Sequence, residues 1–132
     1  MTSALLYAPN GFWELSKEAL NEVCDGCGAE PISNIVPDNL LGLNITDACN
    51  IHDYMYATGE TEKDRKVADR VFRNNMIRII NHDPGKWLKP LRRLLAIFYY
   101  RIVRELGGPW FWDKKNKTGL MKSPNAVFTH HK

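Results

Sequence analysis

Apolar residues recur at helical spacing along most of the chain, and no internal repeat or low-complexity segment interrupts them. This pattern predicts an all-α fold in a chain of 132 residues. The first helix is expected to begin at Ser16, a typical N-cap residue, and to end after Val23. The glycines of the following Cys24-Asp25-Gly26-Cys27-Gly28 segment break regular structure there.

Two longer helices are predicted on either side of a short turn. One opens at Asn44, whose side chain can cap it, and ends near Gly59. The next opens at Thr61, where Asp64 completes a capping pattern, and continues to about Asn81. Because the turn between them is short, we expect the two helices to be antiparallel.

Each of these helices carries a polar residue on its apolar face. In the first, His52 shares one stripe with Ile45, Cys49 and Tyr56. In the second, Asp69 shares its stripe with Phe72, Met76 and Ile80. A carboxylate on an apolar face destabilises the fold unless it is paired. His52 opposite Asp69 would provide that partner.

A further helix is predicted from near Pro90 to Gly107, followed by an irregular segment. Its apolar face is expected to consist of Leu91, Leu94, Leu95, Phe98 and Ile102. We interpret residues 1–132 as a single domain, with a core at roughly 15–108 and a basic, aromatic C-terminal extension at 109–132 that contains Trp110-Phe111-Trp112.

The charges are divided unevenly along the chain. Residues 1–69 carry 12 acidic and 4 basic side chains, whereas residues 70–132 carry 3 acidic and 14 basic ones. This division suits a basic surface that faces an anionic partner, or simple compensation between two packed halves. Charge alone does not distinguish them.

The pair of His52 and Asp69 suggests general-base chemistry. An imidazole held by a carboxylate at one ring nitrogen presents the other nitrogen as a base. No Ser or Cys lies beside His52 in the sequence, which favours water as the nucleophile. Asp53 lies about 100 degrees around the helix from His52 and faces another partner. Tyr56, one turn further on, could hydrogen-bond Asp69.

A zinc-binding module is the alternative from another functional class. The three cysteines of the chain and His52 could form a four-ligand Cys₃His set, with Cys24, Cys27 and Cys49 as the sulfur ligands. This reading uses every cysteine in the chain. It leaves Asp53, Tyr56 and Asp69 unexplained.

Several motifs together resemble the phospholipase A2 superfamily. Cys49-Asn50-Ile51-His52-Asp53-Tyr54-Met55-Tyr56 is similar to its C-x-x-H-D-x-x-Y active-site helix, and Asp25-Gly26-Cys27-Gly28 to its calcium loop. Asp69-Arg70-Val71-Phe72 resembles the D-x-x-F of its second helix. The spacing resembles the compact bacterial and fungal members, over roughly residues 15–108.

The resemblance implies calcium-dependent hydrolysis of the sn-2 ester of glycerophospholipids. His52 would take a proton from water, held in place by Asp69 and Tyr56. Ca²⁺ would be bound by Asp53 and by backbone carbonyls of Gly26, Gly28 and Glu30, and the Gly28 N–H would help to hold the oxyanion. Glu30 departs from the small residue that is usual in the family. A disulfide between Cys27 and Cys49 is also implied, and no role is implied for Cys24.

The expected partner is a phospholipid surface, and an anionic one is favoured. Basic residues and tryptophans such as Trp87, Trp110 and Trp112 suit the headgroup region of an anionic membrane. No recognition motif supports nucleic-acid binding. Neither a signal peptide nor a membrane-spanning run is visible, so a cytoplasmic location or a signal-independent export route is expected.

Overall fold

Helices form most of the part of the chain that the computed structural model describes, which comprises residues 6–23, 36–117 and 130–131. In chain order the elements are β1 (Ala8–Pro9), α1 (Asn10–Trp13), α2 (Lys17–Val23), β2 (Asn39–Leu40), β3 (Leu43–Asn44), α3 (Thr46–Thr58), α4 (Glu62–His82), α5 (Lys89–Leu106), α6 (Gly108–Lys117) and β4 (His130–His131). The predicted calcium loop, with Gly26, Gly28 and Glu30, lies outside the described residues.

The predicted helical character is confirmed, and short strands add to it. Ala8–Pro9 pairs antiparallel with His130–His131, and Asn39–Leu40 pairs antiparallel with Leu43–Asn44. The second pair encloses a tight turn in which Leu41 has a φ of 51° and Gly42 a φ of 89°. Two-residue strands of this kind pin chain segments against the helices and form no layer of their own.

Local capping signals explain where the helices begin. Ser16 Oγ accepts a hydrogen bond from the Ala19 N–H at 3.1 Å, so the first long helix starts as predicted. Thr61 Oγ1 accepts from the Asp64 N–H at 3.1 Å, while Asp64 Oδ2 accepts from the Thr61 N–H at 3.2 Å. This reciprocal pair is the predicted capping box of α4.

The helix α3 begins one residue later than predicted, because its N-cap is Ile45 and not Asn44. Asn44 belongs to β3, and its Oδ1 accepts a hydrogen bond from the Thr46 N–H at 2.8 Å. The side chain therefore stabilises the helix start from one position before the N-cap, Ile45. The predicted end is correct, since the Gly59 N–H bonds to the Met55 carbonyl at 2.9 Å.

The segment beyond Pro109 was predicted to be irregular, and that prediction is wrong. It forms α6, in which Pro109 occupies the first turn, where a missing N–H costs nothing. Phe111 of α6 is fully buried and its ring lies 5.1 Å from that of Tyr56. The start of the expected extension is thus part of the core.

The core lies where α3, α4 and α5 pack together. Its largest fully buried side chains include Tyr56, Phe72, Met55, Met76 and Ile80. On α5 the residues that face this core are Ala96, Tyr99, Ile102 and Val103. Three of the five residues expected on the apolar face of this helix point elsewhere, because Leu91, Leu94 and Phe98 are exposed. No helix in the described part is long and apolar enough to cross a membrane.

Candidate functional site

The side chain of Asp69 is the centre of the site and is fully buried. His52 Nε2 lies 2.7 Å from its Oδ1, and the Tyr56 hydroxyl donates to the same oxygen at 2.6 Å. Both predicted contacts are therefore confirmed. His52 contacts Asp69, and Tyr56, which comes later on α3, contacts Arg65, which comes earlier on α4. The two helices are antiparallel, as expected.

The hydrogen bond to Asp69 fixes which nitrogen of His52 can act as a base. An ionised carboxylate only accepts hydrogen bonds, so the proton of a neutral imidazole lies on Nε2. Nδ1 then carries the lone pair, and no side chain or backbone group among the described residues bonds to it. The imidazole is 3% exposed. This geometry presents one basic nitrogen with a fixed direction.

The second oxygen of Asp69 is held by arginines that the sequence did not indicate. Arg104 Nη1 donates to Asp69 Oδ2 at 2.6 Å, and Arg65 Nη1 lies 3.6 Å from the same oxygen. Arg104 comes from the C-terminal end of α5, so three helices meet at one carboxylate. Arg65 lies one helical turn before Asp69, and this spacing could have identified the ion pair between them from the sequence.

Arg65 also ties the site to the end of α5. Its Nε donates to both carboxylate oxygens of Glu62 at 3.0 Å, and its terminal nitrogens donate to the carbonyls of Val103 and Arg104 at 3.2 and 3.3 Å. Burial lowers the pKa of Arg65, but the hydrogen bonds and charges of Glu62, Tyr56 and Asp69 raise it overall. The guanidinium therefore remains charged inside the fold.

Tyr56 is kept protonated by its surroundings. Burial raises its pKa most, and the charge of Asp69 and the hydrogen bond to it raise it further, while Arg65 opposes this in part. A neutral hydroxyl can donate to Asp69 across the whole neutral pH range. Tyr56 thus acts as a fixed donor that orients the carboxylate.

Aromatic rings surround His52 on several sides. The ring of Phe72 is stacked at 4.7 Å, and those of Tyr56 and Trp110 lie at 4.2 and 5.6 Å. Trp110 belongs to α6, the helix that the sequence analysis missed. Pro109 in its first turn was the signal that could have identified this helix. The rings fix the imidazole plane and limit water around it.

The predicted metal ligands can be located only in part. Asp53 is fully buried on α3, and its partners Gly26, Gly28 and Glu30 lie outside the described residues. In the described part, no three side chains of His, Cys, Asp or Glu cluster closely enough to hold a metal ion. A site with one carboxylate and several backbone carbonyls would not contain such a cluster.

Cys49 is disulfide-bonded. It lies on α3 one turn before Asp53 and is buried, at 2% exposure. The other two cysteines, Cys24 and Cys27, lie outside the described residues. A sulfur in a disulfide offers no thiolate to a metal.

Comparisons of the chain with protein-family models, with curated proteins and with solved structures find no match.

Proposed function

We propose that the chain is a calcium-dependent hydrolase of the sn-2 ester of glycerophospholipids, with water as the nucleophile. The observation that carries this proposal is the buried His52–Asp69 pair, with a distance of 2.7 Å between Nε2 and Oδ1. A purely structural histidine needs only one satisfied nitrogen and no particular direction for the other. Here Tyr56 and Arg104 fix both oxygens of Asp69, and this fixes the direction of Nδ1.

In the proposed reaction, His52 Nδ1 accepts a proton from water as the water oxygen attacks the ester carbonyl carbon. Asp69 stays a hydrogen-bond acceptor and stabilises the imidazolium that forms. Collapse of the tetrahedral species breaks the sn-2 ester bond, and the proton passes from His52 to the departing oxygen. The products are a fatty acid and a lysophospholipid.

The donor chemistry of the expected metal ligands fits Ca²⁺. Asp53 offers a hard carboxylate oxygen, and Gly26, Gly28 and Glu30 would add backbone carbonyl oxygens. Bound Ca²⁺ would polarise the ester carbonyl. Asp53 is next to His52 on α3, so the same helix would hold both the ligand and the base.

The zinc-binding alternative requires Cys49 as a thiolate and His52 with a nitrogen directed at the metal. The disulfide at Cys49 opposes it, because a sulfur in a disulfide offers no thiolate to a metal. Under non-reducing conditions, elemental analysis should find no stoichiometric zinc. One tightly held zinc per chain would refute the hydrolase proposal.

Fatty-acid release from mixed phospholipid vesicles, with and without Ca²⁺, tests the proposal. His52→Gln should still bind Ca²⁺ while hydrolysis falls by roughly 10²-fold to 10⁴-fold, the usual contribution of a general base. Asp53→Asn should lose calcium affinity and hydrolysis together. Calorimetry measures calcium binding, and circular dichroism confirms that each variant is folded. An active Asp53→Asn with no calcium dependence would contradict the mechanism, and an inactive wild type would refute the function.

A further inference from the structure

The side of α5 that faces away from the core carries large apolar side chains. Leu91, Leu94 and Phe98 are 50%, 68% and 56% exposed, and Trp87, just before the helix, is 96% exposed. We name these four residues the outer ridge. Side chains of this size rarely stand together in water on a soluble domain unless they bind something.

Helical spacing places the three ridge residues of α5 on one side. Leu91, Leu94 and Phe98 follow the i, i+3, i+7 pattern, which aligns side chains along one face. A different face of the same helix, which includes Ala96, Tyr99 and Val103, packs against the core. The helix is therefore apolar on two faces, and one of them is exposed.

Basic residues outnumber acidic ones beside the ridge. From Lys86 to Arg104 the sequence has six basic and no acidic residues; the nearest acidic residue on the C-terminal side is Glu105. Lys86, Arg93 and Arg101 are exposed. Arg101 lies one turn after Phe98, on the same side of the helix. Glu105, which is also exposed, lies one turn further on along this side, so three exposed cations stand against one exposed acid and the net charge here is positive.

Two other arginines of α5 have internal partners and do not add to this surface. Arg92 donates to the carbonyls of Leu40 and Leu41, each at 2.9 Å, and Arg104 donates to Asp69. Part of the positive charge in this half of the chain thus compensates internal acids. Lys86, Arg93 and Arg101 are exposed, and Arg93 donates a hydrogen bond to the neutral Asn81 Oδ1 at 2.9 Å, which leaves its charge uncompensated.

We infer that the outer ridge docks the protein on an anionic lipid surface. Aliphatic and aromatic side chains would enter the boundary between headgroups and acyl chains, while the neighbouring cations contact lipid phosphates. Self-association through this face would bring like charges together, which disfavours a second copy as the occupant. The inference deepens the proposed function and rests on it, since a phospholipid hydrolase must reach a membrane.

Binding of the full chain to vesicles tests the ridge without any hydrolysis. Vesicles of phosphatidylcholine alone and of phosphatidylcholine with phosphatidylglycerol are sedimented with the protein in the presence of a calcium chelator. The wild type should bind the anionic vesicles, and more weakly as salt rises. Leu94→Gln with Phe98→Gln should weaken binding by about tenfold or more.

Matched controls separate the ridge from a general loss of apolar or basic residues. Leu106→Gln removes another exposed leucine, 47% exposed, from the end of the same helix, and binding should not change. Arg101→Gln should weaken binding to anionic vesicles, whereas Lys66→Gln, an exposed cation on α4, should not.

Several outcomes would overturn the inference. One is equal vesicle binding by wild type and ridge variant, and another is no vesicle binding at all. A third is a wild-type dimer in sedimentation velocity that becomes a monomer in the ridge variant. Ridge-dependent binding to duplex DNA that displaces the vesicles would also overturn it, in favour of a nucleic-acid partner.

Hydrolysis of a short-chain phospholipid dispersed as monomers distinguishes failure of the ridge from failure of the proposed function. Ridge variants should cleave it as fast as wild type, because His52 and Asp69 are unchanged. Cleavage with ridge-independent vesicle binding would refute only the docking surface. Ridge-dependent binding without cleavage would refute only the proposed activity.

Discussion

The hydroxyl of Tyr56 is enclosed between a carboxylate and a guanidinium. Because burial and the charge of Asp69 raise its pKa, it should remain protonated well above pH 10, where an ordinary tyrosine ionises. As the pH rises to about 11, the absorbance of the folded protein should increase through tyrosinate formation by the same amount in wild type and in Tyr56→Phe. Spectrophotometric titration of both proteins measures this. The chain has five tyrosines, so a smaller change in the variant in that range would contradict the prediction.

Gly107 lies against this same hydroxyl. A Cβ at position 107 would be 2.6 Å from Tyr56 Oη and 2.5 Å from the Val103 carbonyl oxygen. Gly107→Ala should therefore destabilise the fold by about 1–3 kcal/mol, the usual cost of overpacking, and displace Tyr56 from Asp69. Urea unfolding measures the stability.

The adjacent Gly108 provides the control for that substitution. A Cβ there would meet nothing closer than Arg65 Cζ at 3.9 Å, and the residue begins α6. Gly108→Ala should be neutral or stabilising by up to about 1 kcal/mol, since alanine favours helix. Equal destabilisation by both substitutions would contradict the steric explanation.

At the residue scale, apolar periodicity in the sequence was sufficient to pair His52 with Asp69 and to add Tyr56. It could not identify Arg104, whose contact with Asp69 depends on how α5 packs. An arginine at a helix end is ordinarily solvated, and nothing in its sequence context distinguishes this one. Tertiary contacts of this kind are outside what spacing within one helix can predict.

At the scale of the elements, local signals succeeded where a cap or a proline defines the boundary. The capping box of Thr61 and Asp64 and the proline in the first turn of α5 both correspond to observed helix starts. The same proline rule applied to Pro109 would have found α6. For α5 the sequence could not show which apolar face is inside, because the apolar residues occupy two faces of that helix.

Glu62 on α4 pairs with Arg65 of the same helix and with Arg104 of α5, and these contacts should affect stability in acid. Hydrogen bonds from Arg65 lower the pKa of Glu62 below its ordinary value; burial opposes this in part, and the charge of Arg65 and the contacts of Arg104 lower the pKa further. A carboxyl with a lowered pKa contributes stability at pH values above its ordinary pKa, and the contribution is lost as the pH falls through the folded-state pKa. Glu62 is 54% exposed, so a few tenths of a kcal/mol are expected.

Glu62→Gln tests this contribution. The variant should be slightly less stable than wild type at about pH 6, and the difference should shrink towards about pH 3 as the pH falls through the lowered folded-state pKa of Glu62. Urea unfolding at the two pH values provides the comparison. A difference that persists undiminished at the lower pH would assign the effect to packing.

At the scale of the whole molecule, the uneven charge distribution is in part internal compensation between the two halves of the chain. Arg104, from the basic half, pairs with Asp69 and Glu62 from the acidic half, which is internal compensation. Lys86, Arg93 and Arg101 remain at the surface beside the outer ridge. Only the fold could separate these two groups of cations, since both come from the same short stretch of the sequence, residues 86–104.

The meeting of three helices at Asp69 has a consequence for unfolding. Because α3, α4 and α5 each contribute a contact to this carboxylate, no single helix can detach and leave the arrangement intact. The aromatic rings around His52 should then lose their fixed order in the same cooperative transition as the helices. Near-ultraviolet and far-ultraviolet circular dichroism should give one common thermal midpoint. An earlier near-ultraviolet transition would mean that the site melts before the scaffold.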